Sequence, residues 1–254
     1  MGSALIISEE GKGVPLSLRL AQEGHIVKIC FQQEGMKHLL EGFDNPKVIG
    51  AAKMLEQYDI ILFDEARYMD AVPCAMGGGT FALKMENDLP YQKKVLDQML
   101  EIKQPDVIEG GIKMWTEGWF NGGFMPFFIH SFPYTRLMEG ERGIETECMG
   151  NTSWHVGKED DGVIQSVLEP LQPLLEKVGY LGPMSVLCHI GEHGLKVERV
   201  KSSFNYDMIQ AWCELFRCSL FDFLWKVQQK NIEKLTFSSD YVLSVRLSMP
   251  PYPY

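Results

Sequence analysis

Two glycine-containing segments of the sequence are candidate functional segments, and the first contains residue types that can hold an anion. The first, EEGKG at residues 9–13, lies between the apolar run ALIIS and the helical pattern VPLSLRLAQEG. A turn at the start of a helix directs backbone amides towards a ligand, so Gly11 and Gly13 are candidate ligand-binding residues. The pattern is only GxG, which also suits an ordinary turn between a strand and a helix, and both interpretations stay open.

The second segment, Arg136 to Trp154, reads RLMEGERGIETECMGNTSW. It contains four glutamates and three glycines in nineteen residues, directly after the apolar run GWFNGGFMPFFIHSFPY. It has neither helical nor strand periodicity, so a long loop is predicted. Loops of this length are usually functional or disordered.

Histidine and cysteine residues give little indication of a metal centre. His189 and His193 stand four apart in HIGEHG, a spacing that would suit a metal on a helix. The glycines in this segment favour the tip of a hairpin instead. The six cysteines form no CxxC pair, and free, mostly buried thiols are predicted.

Composition limits the classes of partner. The 254 residues are 45% hydrophobic and 23% charged, as in ordinary globular proteins, and the formal charge is -10. Acidic residues spread along the chain argue against nucleic-acid and anionic-membrane partners, although a local basic pocket for phosphates is compatible with them. No apolar run has the length of a membrane span and the start lacks signal-peptide features, so a cytoplasmic protein is expected.

The elements that would position these residues follow from hydrophobic periodicity. ALIIS, VPLSLRLAQEG and HIVKICF predict a βαβ unit with a parallel sheet, and YDIILFDE predicts a further buried strand that ends in acids. TFALKMENDLPYQKKVLDQMLEI predicts a helix interrupted near Pro90. After KQPD the chain changes to hairpins and helices, so the expected fold class is α/β, with α+β character in the second half.

The second half has its own sequence of elements. DDGVIQSVLEPLQPLLEKVGY predicts a helix, and GPMSVLCHIGEHGLKVERV predicts a strand, a turn and a strand. YDMIQAWCELFRCSLFDFLWKVQQ is predicted as one strongly apolar helical stretch in the core. The ending DYVLSVRLSMPPYPY predicts a strand that runs into prolines.

The order of these segments resembles that of the phosphoribosylamine-glycine ligase family in the ATP-grasp superfamily. The resemblance is carried by GGGTFALKMENDLPYQKKVLDQM, GWFNGG, TRLMEGERGIETECMG, GLKVERV and DYVLSVRLSMPPYPY, which cover nearly the whole chain in order. It implies an N-terminal pre-ATP-grasp α/β domain over residues 1–104. It also implies a reduced ATP-grasp-like core, with an antiparallel sheet and helices, over residues 105–254.

The resemblance further implies a chemistry and a set of site residues. A ligase of this family uses ATP and Mg²⁺ to activate the carboxylate of glycine as an acyl phosphate, which the amine of phosphoribosylamine attacks. By this resemblance Arg136 is the catalytic residue and Glu198 the metal ligand. The candidate ligand-binding residues are Gly11, Gly13, Gly143, Glu145, Thr146, Met149, Gly150, Asn205 and Asp207.

Three departures from the family pattern bear on activity. Glu145 and Glu147 stand in a phosphate loop that usually reads close to GPNTGGMG, and two carboxylates repel a phosphate dianion. Val200 stands where an asparagine metal ligand is expected, and valine has no oxygen for a hard cation. Only KQPD separates Ile102 from Val107, where the family has a whole lid subdomain with its lysines and glycine-rich loop.

Three functional hypotheses follow from the sequence. The favoured one is a divergent family member with reduced or lost ATP-dependent chemistry, which binds a nucleotide, a phosphoribosyl compound or a protein partner. The alternative is an active ATP-dependent carboxylate-amine ligase of purine biosynthesis. The third is a structural subunit whose apolar ends, such as PPYPY, pack in a homo-oligomer.

Overall fold

The computed structural model describes most of the chain, and its secondary structure forms two sheets with helices around them. The described residues are 1–50, 57–65, 75–159, 161–192, 194–231, 236–238, 240–248 and 252, without the side chains of Glu34, Glu147, Tyr206, Asp207 and Gln210.

The N-terminal sheet has four parallel strands in the order β3-β2-β1-β4. They are β1 (Ser3–Ser8), β2 (Ile26–Phe31), β3 (Lys47–Val48) and β4 (Ile60–Phe63). Helix α1 (Val14–Gln22) joins β1 to β2, with Pro15 in its first turn, where proline is tolerated. The predicted βαβ unit and parallel sheet are therefore confirmed.

Two short helices lead from this sheet to the second one. They are α2 (Gly79–Asn87) and α3 (Leu89–Met99), which meet at Asp88. The Asp88 carboxylate caps α3 by accepting a hydrogen bond from the Tyr91 amide at 3.0 Å. The predicted interruption near Pro90 is confirmed. Residues 100–111, all described, contain no helix or strand, so most of a lid subdomain is missing here.

The second sheet has six antiparallel strands in the order β10-β7-β6-β5-β8-β9. They are β5 (Ile112–Phe120), β6 (Phe124–Met138), β7 (Arg142–Val156), β8 (Gly182–Gly191), β9 (Gly194–Lys201) and β10 (Tyr241–Val245). Gly191 pairs with Gly194 at the end of β8 and β9. HIGEHG is thus a hairpin tip, as predicted; His193 itself lies outside the described residues.

The predicted loop Arg136–Trp154 is wrong, because this segment is mostly paired strand. Strands β6 and β7 continue to a tight turn around Gly140 and Glu141, both of which have positive φ. Residues 138–145 are exposed. Since neither face of the hairpin end is buried there, the sequence has no apolar alternation to mark it as strand.

Helices cover both faces of the antiparallel sheet. A π-helical turn (Ile164–Leu168) continues into α4 (Glu169–Lys177), which packs with α2 and α3 on one face. The predicted single helix after Asn205 is two helices, α5 (Tyr206–Leu215) and α6 (Leu220–Gln228). The break occurs because Phe216 pairs with Phe237 and Ser219 caps α6.

The main core joins the two halves of the chain. Buried residues of the parallel sheet and α1, such as Leu20, belong to the same apolar cluster as Trp119 and Phe223. The division at residues 104 and 105 stays a prediction. Five described cysteines are free thiols, as expected, and Cys74 lies outside the described residues. None of the described helices is long and apolar enough to cross a membrane.

Candidate functional site

The glycine turn after β1 directs its amides at a carboxyl group of the same chain. The Gly13 amide donates to Asp64 Oδ2 at 2.6 Å, and the Gly11 amide donates to the Ser8 hydroxyl at 3.0 Å. Ser8 in turn donates to the same Asp64 oxygen. The turn at the start of α1 therefore does hold an acidic group, as its amides suggested, but this group is internal.

Two buried carboxyl groups have altered titration. Burial raises the pKa of Asp64 to about 7, although the hydrogen bonds from Ser8 and Gly13 act in the opposite direction. Burial also raises the pKa of Glu117 on β5 to about 7, against the hydrogen bond from Ser185 Oγ at 2.6 Å. Each carboxyl group is therefore partly protonated near neutral pH.

Stability is expected to fall as the pH rises from about 4 to about 7. In this range the folded state keeps the Asp64 and Glu117 protons while the unfolded state has lost them, so each group contributes a slope of about -1.4 kcal/mol per pH unit. Asp64→Asn keeps an oxygen that can accept the hydrogen bond from Gly13, and it removes the contribution of Asp64 to the pH dependence of the free energy of unfolding. Urea unfolding at several pH values should show this difference, and parallel curves for both proteins would contradict it.

Four adjoining cavities form one cleft between the parallel sheet and the antiparallel sheet. Three measure about 580, 590 and 660 Å³, and one is a small space of about 60 Å³. Lys12 and Arg199 each line three of the four. We call this space the central cleft. It lies at the carboxyl end of β1 and β4, where open α/β sheets place their ligands.

The smallest cavity, which we call the inner pocket, is lined by three cations and, among the residues that the structure describes, by no carboxylate. Its lining residues are Lys12, Trp115, Ser131, Pro133, Cys148, Asn151, Arg199, Lys201, Asn205 and Met208. A volume of about 60 Å³ is about twice the roughly 30 Å³ share of one water. It therefore suits a carboxylate or phosphate group, and larger parts of a ligand would extend into the adjoining cavities.

The inner pocket contains polar groups that can bind a ligand. Ser131 is 1% exposed, and its hydroxyl has no hydrogen-bond partner within the described residues. Lys201 Nζ lies 5.8 Å from the centre of the Trp115 ring, which fixes the lysine by a cation–π contact. The side chain of Arg199 is exposed and makes no ion pair with any described residue. These groups can all interact with an anion.

Glu198 is placed by a bulge in β9. Arg199 pairs with Leu187 and Val197 pairs with Cys188, which leaves Glu198 as the extra residue. Its two oxygens contact Lys113 Nζ at 2.9 Å and His189 Nδ1 at 3.5 Å. The carboxylate predicted as the metal ligand is therefore engaged by a lysine.

The residues present do not fit a Mg²⁺ site. Mg²⁺ requires octahedral oxygen coordination. The Glu198 carboxylate is paired with Lys113, and Val200 is 2% exposed because it belongs to the core on the other face of the sheet. No cluster of three or more His, Cys, Asp and Glu side chains occurs among the described residues. The cavities nevertheless offer cations to the phosphates of a nucleotide.

The structure brings together some of the predicted site residues. Glu145, Thr146, Glu198, Asn205 and Gly11 line the central cleft. Their shared position supports the cleft as the site.

The other predicted residues have structural surroundings instead. Arg136 donates to the Gly143 carbonyl at 3.3 Å within the β6–β7 hairpin and does not line the cleft. Gly143 has φ +82° in this hairpin, and a side chain at Gly150 would lie 2.7 Å from Ser244 O on β10. Met149 accepts a backbone bond from Arg246. The roles of these residues, and of Gly13, stay predictions.

The structure does not describe every residue singled out in the sequence, and some residues that line the cleft were not predicted from it. The side chains of Asp207 and Glu147 lie outside the described part. Lys12, Lys201 and Ser131 line the inner pocket but belong to no sequence motif. Only the position of Lys12 inside the glycine turn was a signal, because the pocket is assembled from strands far apart in sequence.

A cavity outside the central cleft is larger than each of these four and has fewer charged lining residues. It measures about 840 Å³ and is lined by the glycines 77–79 at the start of α2, by several aromatic rings and by Lys230. Only one cation and one carboxylate, Glu176, line it. The central cleft is the better candidate because its cations and buried polar groups converge on one small space.

Comparisons with known proteins identify the fold. No family model and no curated protein matches the sequence. Phosphoribosylamine-glycine ligase from Thermotoga maritima has TM-score 0.74 and 13% identity over 99% of this chain and 81% of that chain. The phosphoribosylaminoimidazole carboxylase ATPase subunit from Aquifex aeolicus has TM-score 0.61 and 11% identity over 92% and 77%.

A third similar structure contains a nucleotide. N5-carboxyaminoimidazole synthetase from Staphylococcus aureus, complexed with ADP, has TM-score 0.53 and 10% identity over 91% of this chain and 76% of that chain. At such identities the likeness concerns the fold alone. The chain has the mixed α/β fold of the ATP-grasp enzymes, with a parallel N-terminal sheet, an antiparallel core and no lid subdomain between α3 and β5.

Proposed function

We propose that the protein binds a small phosphorylated metabolite, a nucleotide or a phosphoribosyl compound, in the central cleft and has reduced or lost ATP-dependent ligase chemistry. The observation that carries the proposal is the inner pocket, where Lys12, Arg199 and Lys201 converge and no carboxylate of the described residues lines the space. The whole chain has a formal charge of -10, so this local excess of cations runs against its composition. We expect the protein to act in the cytoplasm.

The electrostatics favour a phosphate group in the inner pocket. Charges in a partly enclosed space interact more strongly than in bulk water because the effective dielectric constant is lower. Lys12 Nζ forms an ion pair with Glu65 Oε1 at 2.5 Å, whereas Arg199 has no described carboxylate partner. An incoming phosphate would therefore take its strongest new charge-assisted bonds from Arg199 and Lys201.

The adjoining cavity of about 590 Å³ suits the rest of such a ligand. It is lined by Trp115 and Tyr252, which offer aromatic surface, and by Glu145 and Glu198, whose oxygens can accept hydrogen bonds from ribose hydroxyls. A phosphate in the inner pocket and a sugar beside these carboxylates would avoid the repulsion that the acidic residues impose on phosphates.

Three observations support the loss of ligase chemistry. Residues 100–111 contain no lid over the nucleotide phosphates. The carboxylate of Glu198 is paired with Lys113, and the donor set does not fit Mg²⁺. Arg136 bonds within its hairpin. Phosphoryl transfer needs metal and positive charge placed around the transferred group. The cleft supplies cations, but the described residues form no set of Mg²⁺ ligands.

A thermal-shift screen in EDTA tests the proposal. The compounds are ATP, ADP, ribose 5-phosphate and glycine, with ribose as the matched control without a phosphate. A ligand at 100 times its dissociation constant adds about 2.7 kcal/mol to the free energy of unfolding. At least one phosphorylated compound should raise the melting temperature while ribose does not. Equal results for all compounds would contradict the proposal.

The alternative is an active carboxylate-amine ligase, favoured by the order of motifs and by Glu198 in the cleft. It predicts ADP formation that depends on glycine and phosphoribosylamine together. A Glu198→Gln variant is the matched control, because a true ligase should lose this turnover. Substrate-dependent turnover that this variant abolishes would overturn the proposed loss of chemistry.

A further inference from the structure

Strand β10 is an open edge of the antiparallel sheet. Within the described residues it pairs only with β7. Its sequence, YVLSV, contains no charged residue, no proline and no glycine. Sheet edges are usually protected against pairing by such residues, so β10 lacks the common protection.

The apolar side chains of β10 face solvent. Tyr241, Leu243 and Val245 are 63%, 65% and 76% exposed, and they alternate with half-buried Val242 and Ser244. Leu243 lies opposite Thr152, which lies opposite Phe132 on β6. Phe132 is 39% exposed, so the apolar surface continues across the sheet. A contiguous apolar surface of this kind marks an interaction site.

Within the described part of the chain, the backbone groups of β10 that have no strand partner belong to the same three residues. The Arg246 amide donates to the Met149 carbonyl on β7. Because residues in an antiparallel strand alternate between the two neighbouring edges, the amides and carbonyls of Tyr241, Leu243 and Val245 point to the open edge. One short strand therefore offers both backbone bonds and apolar side chains to a partner.

The charges at the two ends of β10 identify a second copy as the partner. In an antiparallel pair of β10 strands centred on Leu243, residue 241 faces 245 and residue 240 faces 246. This register places Asp240 opposite Arg246 at both ends of the pair, and Leu243 opposite its counterpart. Opposite charges across a strand pair stabilise it, and the same patch serves both molecules.

We infer that two copies of this chain associate through antiparallel pairing of their β10 strands, which joins the two six-stranded sheets into one. The inference does not rest on the proposed ligand, although Arg246 also lines two cavities of the central cleft and donates to the Tyr252 hydroxyl at 2.9 Å. The relevant contacts are the backbone bonds of Tyr241, Leu243 and Val245, the apolar side chains of these residues and the Asp240–Arg246 pairs.

Sedimentation equilibrium at about 0.15 M salt, which screens the net negative charges, tests this inference. The natural sequence should show a concentration-dependent dimer. Leu243→Lys places two like charges opposite each other and should raise the dissociation constant at least tenfold. Leu89→Lys is the matched control, because Leu89 is 62% exposed on α3. A monomer at every concentration, or equal effects of both substitutions, would overturn the inference.

Charge exchange and cysteine crosslinking test the register. Asp240→Arg and Arg246→Asp should each weaken the dimer, and the double exchange should restore it. Leu243→Cys should form a disulfide between copies on mild oxidation, since paired Cα atoms about 5.5 Å apart suit this bond; Leu89→Cys should not. No rescue by the double exchange and no crosslink at Leu243 would overturn the pairing. Binding of a foreign strand by a monomeric protein would do so as well.

Discussion

Arg199→Glu is expected to weaken the binding of a phosphorylated ligand roughly 10- to 150-fold. The natural arginine lines the inner pocket and two of the adjoining cavities. Each hydrogen bond to a charged group contributes about 1.5–3 kcal/mol, and the new carboxylate would in addition repel the phosphate. Because the Arg199 side chain is exposed, the substitution should leave the free energy of unfolding nearly unchanged. Calorimetric titration in EDTA measures the effect.

Arg142→Glu is the matched control for this substitution. The Arg142 side chain is 71% exposed at the tip of the β6–β7 hairpin and pairs only weakly with Glu139 at 3.7 Å. It changes the net charge by the same amount as Arg199→Glu. Equal losses of affinity in the two variants would show that binding depends on overall charge rather than on the inner pocket, and the proposed site would be wrong.

Trp119→Ala is expected to lower the free energy of unfolding by about 3–5 kcal/mol. Trp119 is 2% exposed and contacts Phe204, Trp212 and Phe223 edge to face, with ring centres 5.4, 5.8 and 4.8 Å away. Truncation would leave a cavity between the antiparallel sheet and helices α5 and α6. Urea unfolding followed by tryptophan fluorescence and by circular dichroism measures this loss.

Trp225→Ala on α6 is the control, because this tryptophan is 39% exposed. Its replacement should cost much less, since most surface substitutions change stability by no more than about 0.5 kcal/mol. The apolar cluster of Trp119 also contains residues of the parallel sheet and α1. Both spectroscopic probes should therefore report one transition. Similar losses in the two variants would contradict the central place of Trp119 in the core.

Much of the fold was predictable because its elements have buried faces with regular spacing. The run ALIIS and the pattern around Leu16 and Leu20 predicted the first βαβ unit, and Pro90 marked the interruption between α2 and α3. The hairpin end of β6 and β7 was missed because exposed strands carry no apolar alternation. The break between α5 and α6 was missed because Phe216 continues the apolar pattern while its backbone pairs with Phe237.

The site was only partly predictable, for a different physical reason. Glu198 and Asn205 could be identified through motifs, and both line the cleft. The inner pocket is built by Lys12 after β1, Ser131 on β6 and Lys201 on β9. Residues so distant in sequence have no local spacing to reveal them. The hydrogen bond from the Gly13 amide to Asp64 could not be predicted for the same reason.

Calorimetric titration of ATP, ADP and ribose 5-phosphate, first in EDTA and then in excess Mg²⁺, tests the central claim most directly. At least one phosphorylated compound should bind in EDTA. Mg²⁺ should weaken the binding of ATP or ADP, because the ion neutralises phosphate charge that the cations of the cleft would otherwise contact. Absence of binding in EDTA for all three compounds, or tight binding only with Mg²⁺, would contradict it.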